Sequence, residues 1–145
     1  MSLVRSLQAN YNARVIIDMS IRLFRRYMSF GSAEVFLLEE ADEELKALPV
    51  GERVAMRTAF KKLEQAGSAL TFPHQSSVKG VNGLRELRPR GGRSRYRSFY
   101  KRTGPNQFVV GAIGPEAQVD PRGFQRSVKA AQERLSKYEG LEDNG

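Results

Sequence analysis

The pattern of apolar and polar positions divides the chain from residue 34 onward into short, well-separated elements. An apolar, partly β-branched run at 34–38 predicts a strand, and the acidic helix formers after it predict a helix over about 39–48 that ends at Pro49. A second helix is predicted over 50–66, because its apolar residues recur on one helical face and Gly67 follows as a stop. The residues of that face are Val54, Ala59, Phe60 and Leu63. The two helices are expected to form an antiparallel hairpin.

The second half of the pattern predicts three strands and a last helix. A loop is expected at 67–83, since that stretch is rich in Gly, Ser, Pro and Asn. Strands are expected at 84–89, 94–102 and 106–113. Short turns between them imply an antiparallel meander. A helix is predicted over about 121–138 from the spacing of Phe124, Val128, Ala131, Leu135 and Tyr138.

The predicted fold class is α+β, with the order β-α-α-β-β-β-α. The helical hairpin and the C-terminal helix are expected to pack on a small antiparallel sheet. This domain is predicted to span 34–139, with a frayed tail at 140–145. Residues 1–33 fit the pattern poorly and are interpreted as an N-terminal extension. Either a basic amphipathic helix forms over roughly 13–27, or the start lies downstream and the segment is outside the core.

The amino-acid composition limits the kinds of functional site that this chain can form. A chain of 145 residues suits a single domain. It has no cysteine and one histidine, so disulfides, thiol nucleophiles, thiolate zinc sites and imidazole clusters are not expected. No cofactor or metal is predicted. No apolar run approaches the ~20 residues of a membrane span, so we expect no membrane association and a cytoplasmic location.

Positive charge is concentrated in one stretch. Residues 79–102 hold nine Lys and Arg side chains and one acid, Glu86. The net charge of this stretch is therefore +8, which equals the formal net charge of the whole chain. A basic patch of this kind predicts a polyanionic partner such as nucleic acid. Arginines on exposed strands are also often merely solvated, and a Glu between them is often an ion pair worth under ~1 kcal/mol.

Strand alternation indicates a catalytic arrangement within this patch. Alternate residues of a strand point to the same face of the sheet. In the strand at 94–102, Arg97 and Tyr96 therefore point to opposite faces. In the preceding strand, Glu86 and Arg88 point to the same face. If the faces of Arg88 and Arg97 coincide, two guanidiniums can hold a phosphate and stabilise the charge of its transition state. RNA supplies its own nucleophile, the 2′-OH, and needs a base. The candidates for the base are Glu86, Glu116 and His74, and Tyr96 and Tyr100 either stack on bases or fill the core.

Two motifs in this region resemble a known family. The runs 79–88 and 96–100 resemble the K-x-x-x-G-L-x-E-L-R and Y-R-x-F-Y pattern of the RelE/HigB toxin superfamily, in particular its phage-derived HigB branch. The resemblance covers about 34–139. It implies a type II toxin, a metal-independent messenger RNA endoribonuclease that acts on the ribosome. It also implies a cognate antitoxin, a helix-turn-helix protein encoded next door.

The site hypothesis combines the residues and the resemblance. The proposed catalytic residues are Arg88, Arg97, Glu86 and Glu116. The proposed RNA-binding residues are Lys79, Arg85, Arg90, Arg93, Arg95, Tyr96 and Lys101. Residues 112–118 depart from the family, because they lack the Lys, Arg or His usual there. A catalytically inactive module that binds nucleic acid or protein is therefore the alternative, and an accessory protein that docks an acidic partner is a third interpretation.

Overall fold

The computed structural model describes residues 4–8, 14–18, 23–26 and 33–144 of the chain, with side chains from residue 33 to residue 140. In chain order the elements are β1 (Val4–Gln8), β2 (Arg14–Asp18), β3 (Leu23–Arg26), β4 (Glu34–Leu38), α1 (Glu39–Lys46), α2 (Val50–Ala66), β5 (Gln75–Ser77), β6 (Arg85–Leu87), β7 (Tyr96–Gly104), β8 (Gln107–Pro115) and α3 (Pro121–Asn144). Short 3-10 turns occupy 67–69 and 89–92.

The strands form one sheet in the order β1-β2-β3-β4-β8-β7-β6-β5. Strands β5 to β8 are antiparallel neighbours, as predicted for the meander, whereas β4 pairs parallel to β8. The sheet is therefore mixed. Because β8 lies between β4 and β7 in the sheet and is covered on both faces, its sequence is an apolar run rather than an alternating one.

Helices cover both faces of this sheet. Alternate side chains of β4, β7 and β8 divide into two buried clusters. One cluster packs on α1 and α2 through residues such as Leu45, Phe60 and Tyr100. The other packs on α3 through residues such as Phe99 and Leu135. The predicted α+β fold of RelE-like order is confirmed, with the hairpin and the last helix on opposite faces of the sheet.

Several details differ from the sequence prediction. A short strand, β5, lies within the expected loop at 67–83, because its backbone pairs with β6 although its sequence is polar. Strands β2 and β3 replace the helix considered for 13–27, and β3 pairs with β4. Helix α3 continues to Asn144, beyond the end predicted near residue 138. Val54, assigned to the buried face of α2, is exposed, and Ala55 and Met56 are buried instead.

Helix α3 approaches β8 very closely at a glycine. A Cβ on Gly111 would lie 2.8 Å from Cγ of Leu135 and 3.2 Å from the backbone of Ala131.

Glu44 of α1 connects this helix to β8 and to α3. Its side chain accepts a hydrogen bond from the Ile113 backbone N–H at 3.0 Å. This carboxylate also pairs with Arg134 of α3. No described helix has the length and apolar character needed to cross a bilayer.

Candidate functional site

The register between β6 and β7 brings Glu86, Arg88 and Arg97 together. Leu87 lies opposite Ser98, so the next positions outward, Arg88 and Arg97, face each other, and alternation places Glu86 on the same side of the sheet. Nη1 of Arg88 donates a hydrogen bond to Oε1 of Glu86 at 2.8 Å. Nε of Arg97 lies 3.6 Å from the same oxygen. The coincidence of the two arginine faces, on which the catalytic hypothesis depends, is thus observed.

Glu116 closes this cluster from the end of β8. Its Oε2 lies 3.8 Å from Nη2 of Arg97, and its Oε1 accepts a hydrogen bond from the Val119 N–H at 2.7 Å. The backbone N–H of Glu116 donates to the carbonyl of Arg95 at 2.8 Å. Two guanidiniums and two carboxylates therefore form one compact group, called here the Glu86–Arg88–Arg97–Glu116 cluster.

Arg97 is the buried centre of the cluster. Its side chain is 3% exposed, and its Nη1 donates to the carbonyls of Ser94 at 2.7 Å and Tyr96 at 3.0 Å. Its Nη2 donates to the carbonyl of Gly92 at 3.1 Å. Burial, and secondly the charge of Arg88, lower the pKa of Arg97 from its ordinary value, while the two glutamates act in the opposite direction. In this arrangement Arg97 fixes the segment before β7 and offers little surface to a ligand.

The turn at 89–92 is built around these arginines. Arg90, Gly91 and Gly92 all have positive φ, which curls the chain back between β6 and β7. A Cβ on Gly92 would lie 2.6 Å from Nη2 of Arg88. Glycine at this position therefore provides both the left-handed backbone and the space for the Arg88 guanidinium.

Arg88 is the more accessible of the two arginines. Its side chain is 21% exposed, and its Nε donates to the carbonyl of Pro73 at 3.1 Å. Its guanidinium lies over the ring of Phe72, 5.1 Å from the ring centre, a cation–π arrangement. Arg88 is thus held at the edge of the cluster with part of its charge facing solvent.

An open groove of about 760 Å³ runs beside the cluster on the α3 side of the sheet. Its walls are the 76–81 segment and α3, and Glu86 contributes to its surface. Its cationic and amide side chains are Lys79, Gln125, Lys129 and Gln132. Phe124 adds an aromatic surface, packed edge-on to Phe99. Lysines, amides and an aromatic ring in one groove are the groups that contact phosphates and bases of single-stranded RNA.

The residues predicted to bind RNA do not all meet in this groove. Lys79 lines it, and Arg93 and Arg95 are exposed on the segment that precedes β7. The others have different surroundings. Arg85 bonds to Gln75, Arg90 pairs with Glu52 of α2, Lys101 pairs with Glu139 of α3, and Tyr96 packs against the core on the α2 face.

Two further predicted candidates lie away from the groove. Tyr100 belongs to the core, where burial raises its pKa to about 12. His74 lines a different cleft, between β6 and α2. Within the described residues no group of three or more His, Asp or Glu side chains is placed to hold a metal ion.

Sequence reasoning missed the contribution of α3. Gln125, Lys129 and Gln132 follow at helical spacing and form one polar row beside the buried stripe of that helix. A helical projection of 121–138 shows the row, but the sequence of the facing segment, 76–81, predicts a loop. The groove therefore could not be recognised before the topology was known.

Comparison with known proteins finds a family similarity over the centre of the chain. No curated protein matches the sequence significantly. Residues 43–114, from within α1 to near the end of β8, match the family model described as "Phage derived protein Gp49-like (DUF891)". That family is one of the RelE/HigB-like toxin families, in agreement with the resemblance drawn from the two motifs. The matched segment, which contains Glu86, Arg88 and Arg97, is similar to this family, and the match is consistent with a toxin-like module.

Proposed function

We propose that this chain is the toxin of a type II toxin–antitoxin system and cleaves messenger RNA, on the ribosome, through the RNA 2′-OH. The observation that carries the proposal is the Glu86–Arg88–Arg97–Glu116 cluster, which lies beside a cationic groove. Three of its four residues, Glu86, Arg88 and Arg97, belong to the segment that matches the Gp49-like family. The motifs at 79–88 and 96–100 favour the HigB branch of the superfamily. The site of action is the cytoplasm, where ribosomes and messages are found.

Each residue of the cluster has a separate role in this proposal. Arg88 contacts the scissile phosphate, since its guanidinium is the accessible one and suits bidentate phosphate binding. Arg97 is a positioning residue, which holds the 92–96 backbone and adds buried positive charge. The groove lysines, Lys79 and Lys129, hold the flanking phosphates.

The chemistry follows from the carboxylate in the groove. Glu86, oriented by its hydrogen bond from Arg88, takes the proton of the 2′-OH, and the 2′-oxygen attacks the adjacent phosphorus. The bond to the 5′-oxygen breaks, and that oxygen takes a proton from solvent. The products are a 2′,3′-cyclic phosphate and a 5′-OH. Glu116 orients Arg97 and is the second candidate for the base.

A second function is favoured by specific observations. The donors of Arg97 are largely satisfied by backbone carbonyls, and residues 112–118 contain no cationic side chain. Both features suit a module of toxin-like fold that binds RNA or protein without cutting. The two functions differ in one outcome, the appearance of new RNA ends.

Induced expression in a bacterial host distinguishes the nuclease from the binding module. We expect induction of the wild-type chain in a bacterial host to arrest growth and to produce new 5′ ends within translated messages. Induction of the Arg88→Ala variant should produce neither. Arg102→Ala is a matched control, because Arg102 is an exposed arginine near the opposite end of β7 that bonds to the turn at 104–105. Unchanged growth and unchanged transcript ends with the wild-type chain would contradict the nuclease proposal and support the binding module.

A further inference from the structure

Arg90 has a backbone conformation that is unfavourable for a residue with a side chain. Among the residues that the structure describes, it is the only one other than glycine with a positive φ, at 56°. An L-residue is strained there because its Cβ lies too close to a backbone carbonyl, whereas glycine adopts this region freely. A strained residue next to a candidate site persists only where the surrounding structure holds it, and it points to a functional constraint.

The side chain of Arg90 makes the contacts that hold it. Its Nη1 donates to both carboxylate oxygens of Glu52, at 3.2 and 3.4 Å, and its Nη2 donates to the carbonyl of Gly51 at 3.2 Å. Both partners lie in the first turn of α2, and the side chain of Glu52 is only 13% exposed. The guanidinium of Arg90 therefore joins the turn between β6 and β7 to a helix that is distant in sequence.

The same turn sets the positions of Arg88 and Arg97. The carbonyl of Gly92 accepts a hydrogen bond from Nη2 of Arg97 at 3.1 Å. The backbone of Gly92 also lies against Arg88, so closely that a Cβ there would be 2.6 Å from its Nη2. The carbonyl of Arg90 accepts hydrogen bonds from the backbone N–H and from Nε of Arg93, which closes the turn. A displacement of the turn from α2 would therefore move groups that contact both Arg88 and Arg97.

We propose that Arg90 is a positioning residue for the cleavage of RNA. Its ion pair with Glu52 holds the 89–92 turn on α2, and the turn keeps Arg88 and Arg97 in the arrangement that the mechanism requires. The part that concerns cleavage rests on the proposed function, whereas the hold on the turn rests on these contacts alone. The competing role is that of a phosphate contact, as the basic patch predicts, and Arg90 is exposed enough for it, at 49% of its side chain.

Removal of Glu52 distinguishes the two roles, because they predict opposite results. Single-turnover cleavage of a defined message by the full chain gives the maximal rate and the protein concentration at half-maximal rate. If Arg90 positions the turn, Glu52→Ala should lower the maximal rate by about tenfold or more and leave the half-maximal concentration unchanged. If Arg90 contacts phosphate, the same variant releases its guanidinium, so RNA should bind more tightly and the maximal rate should not fall.

Two further variants exclude simpler explanations. Arg90→Gly should lose about as much rate as Glu52→Ala, and its fold should be retained, because glycine accepts the positive φ. The double variant should lose no more than either single one, since both changes break the same contact. Glu40→Ala is the matched control, because Glu40 is an exposed first-turn glutamate of α1 and its loss changes the net charge equally. It should cleave like the wild type.

A readout that needs no cleavage separates this proposal from the proposed function. The NMR signals of the Nε–H groups of Arg88 and Arg97 should shift in both Glu52→Ala and Arg90→Gly, whereas that of Arg102 should not. A wild-type chain that cuts no RNA, although these signals shift in both variants, contradicts the nuclease and supports the hold of Arg90 on the turn. Unshifted signals overturn the positioning role. So does tighter RNA binding without loss of rate in Glu52→Ala, or an equal loss of rate in Glu40→Ala.

Discussion

Replacing Arg88 with alanine is expected to lower the rate of RNA cleavage about 10²–10³-fold, the usual effect of losing one donor that stabilises transition-state charge. Arg88 is the accessible cation of the cluster, since Arg97 is 3% exposed and bonded to backbone carbonyls. The fold should survive this change. Glu86 keeps Arg97 beside it, 3.6 Å from Nε, so no carboxylate is left without a cation.

Single-turnover cleavage of a defined message by the purified variant measures this effect. Arg88→Lys should recover only part of the rate, because an ammonium cannot hold a phosphate with two parallel hydrogen bonds. Arg102→Ala, at the other end of β7, should cleave like the wild type. Full activity in Arg88→Ala would remove this residue from the mechanism.

Replacing Arg97 with alanine is expected to lower the free energy of unfolding by about 3–5 kcal/mol, the cost of removing one partner from a buried ion pair. The change deletes three hydrogen bonds to the carbonyls of Ser94, Tyr96 and Gly92. It also leaves Glu86, which is 8% exposed, with Arg88 as its remaining cation. Because Arg97 is buried, its removal is expected to cost stability as well as activity.

Urea unfolding followed by circular dichroism measures this loss, with Arg88→Ala as the comparison. We expect the two variants to differ in their free energy of unfolding. Arg88→Ala should lose cleavage with only a small change in this free energy, whereas Arg97→Ala should show a large decrease in it. If Arg97→Ala unfolds at the wild-type urea concentration and only cleavage is lost, Arg97 acts directly on RNA and is not a positioning residue.

The sequence predicted the fold from 34 onward well where apolar spacing was strong. Helix α2 begins and ends where Val50 and Gly67 indicated, and the buried stripe of α3, from Val128 to Tyr138, lies on the sheet as expected. It failed where backbone pairing rather than side-chain pattern forms the element. The polar strand β5 is stabilised by its ladder with β6, and pairing with β4 accounts for β3. A single sequence does not show such partners.

The site was predicted as a set of residues but not as an arrangement. Alternation correctly placed Glu86 and Arg88 on one face, because that depends only on the strand period. Whether Arg97 shares that face depends on the register between β6 and β7, which the sequence left open. Strand alternation gave no information on how deeply each side chain is buried. Whether an arginine in β7 is exposed depends on the turn at 89–92 that folds over it, and Gly92 allows that turn by its positive φ. The α3 wall of the groove depends on topology for the same reason.

The most direct test of the central claim is the chemistry of the RNA ends left by the purified chain. Ribosomes translating a defined message are incubated with the wild-type protein, and the fragments are analysed for terminal groups. We predict a 2′,3′-cyclic or 3′-phosphate and a 5′-OH, and no cleavage of a message that carries a single 2′-deoxynucleotide at the cut position. Fragments with a 5′-phosphate, or equal cleavage of the 2′-deoxy message, would contradict a mechanism in which Glu86 and Arg88 activate the RNA's own hydroxyl.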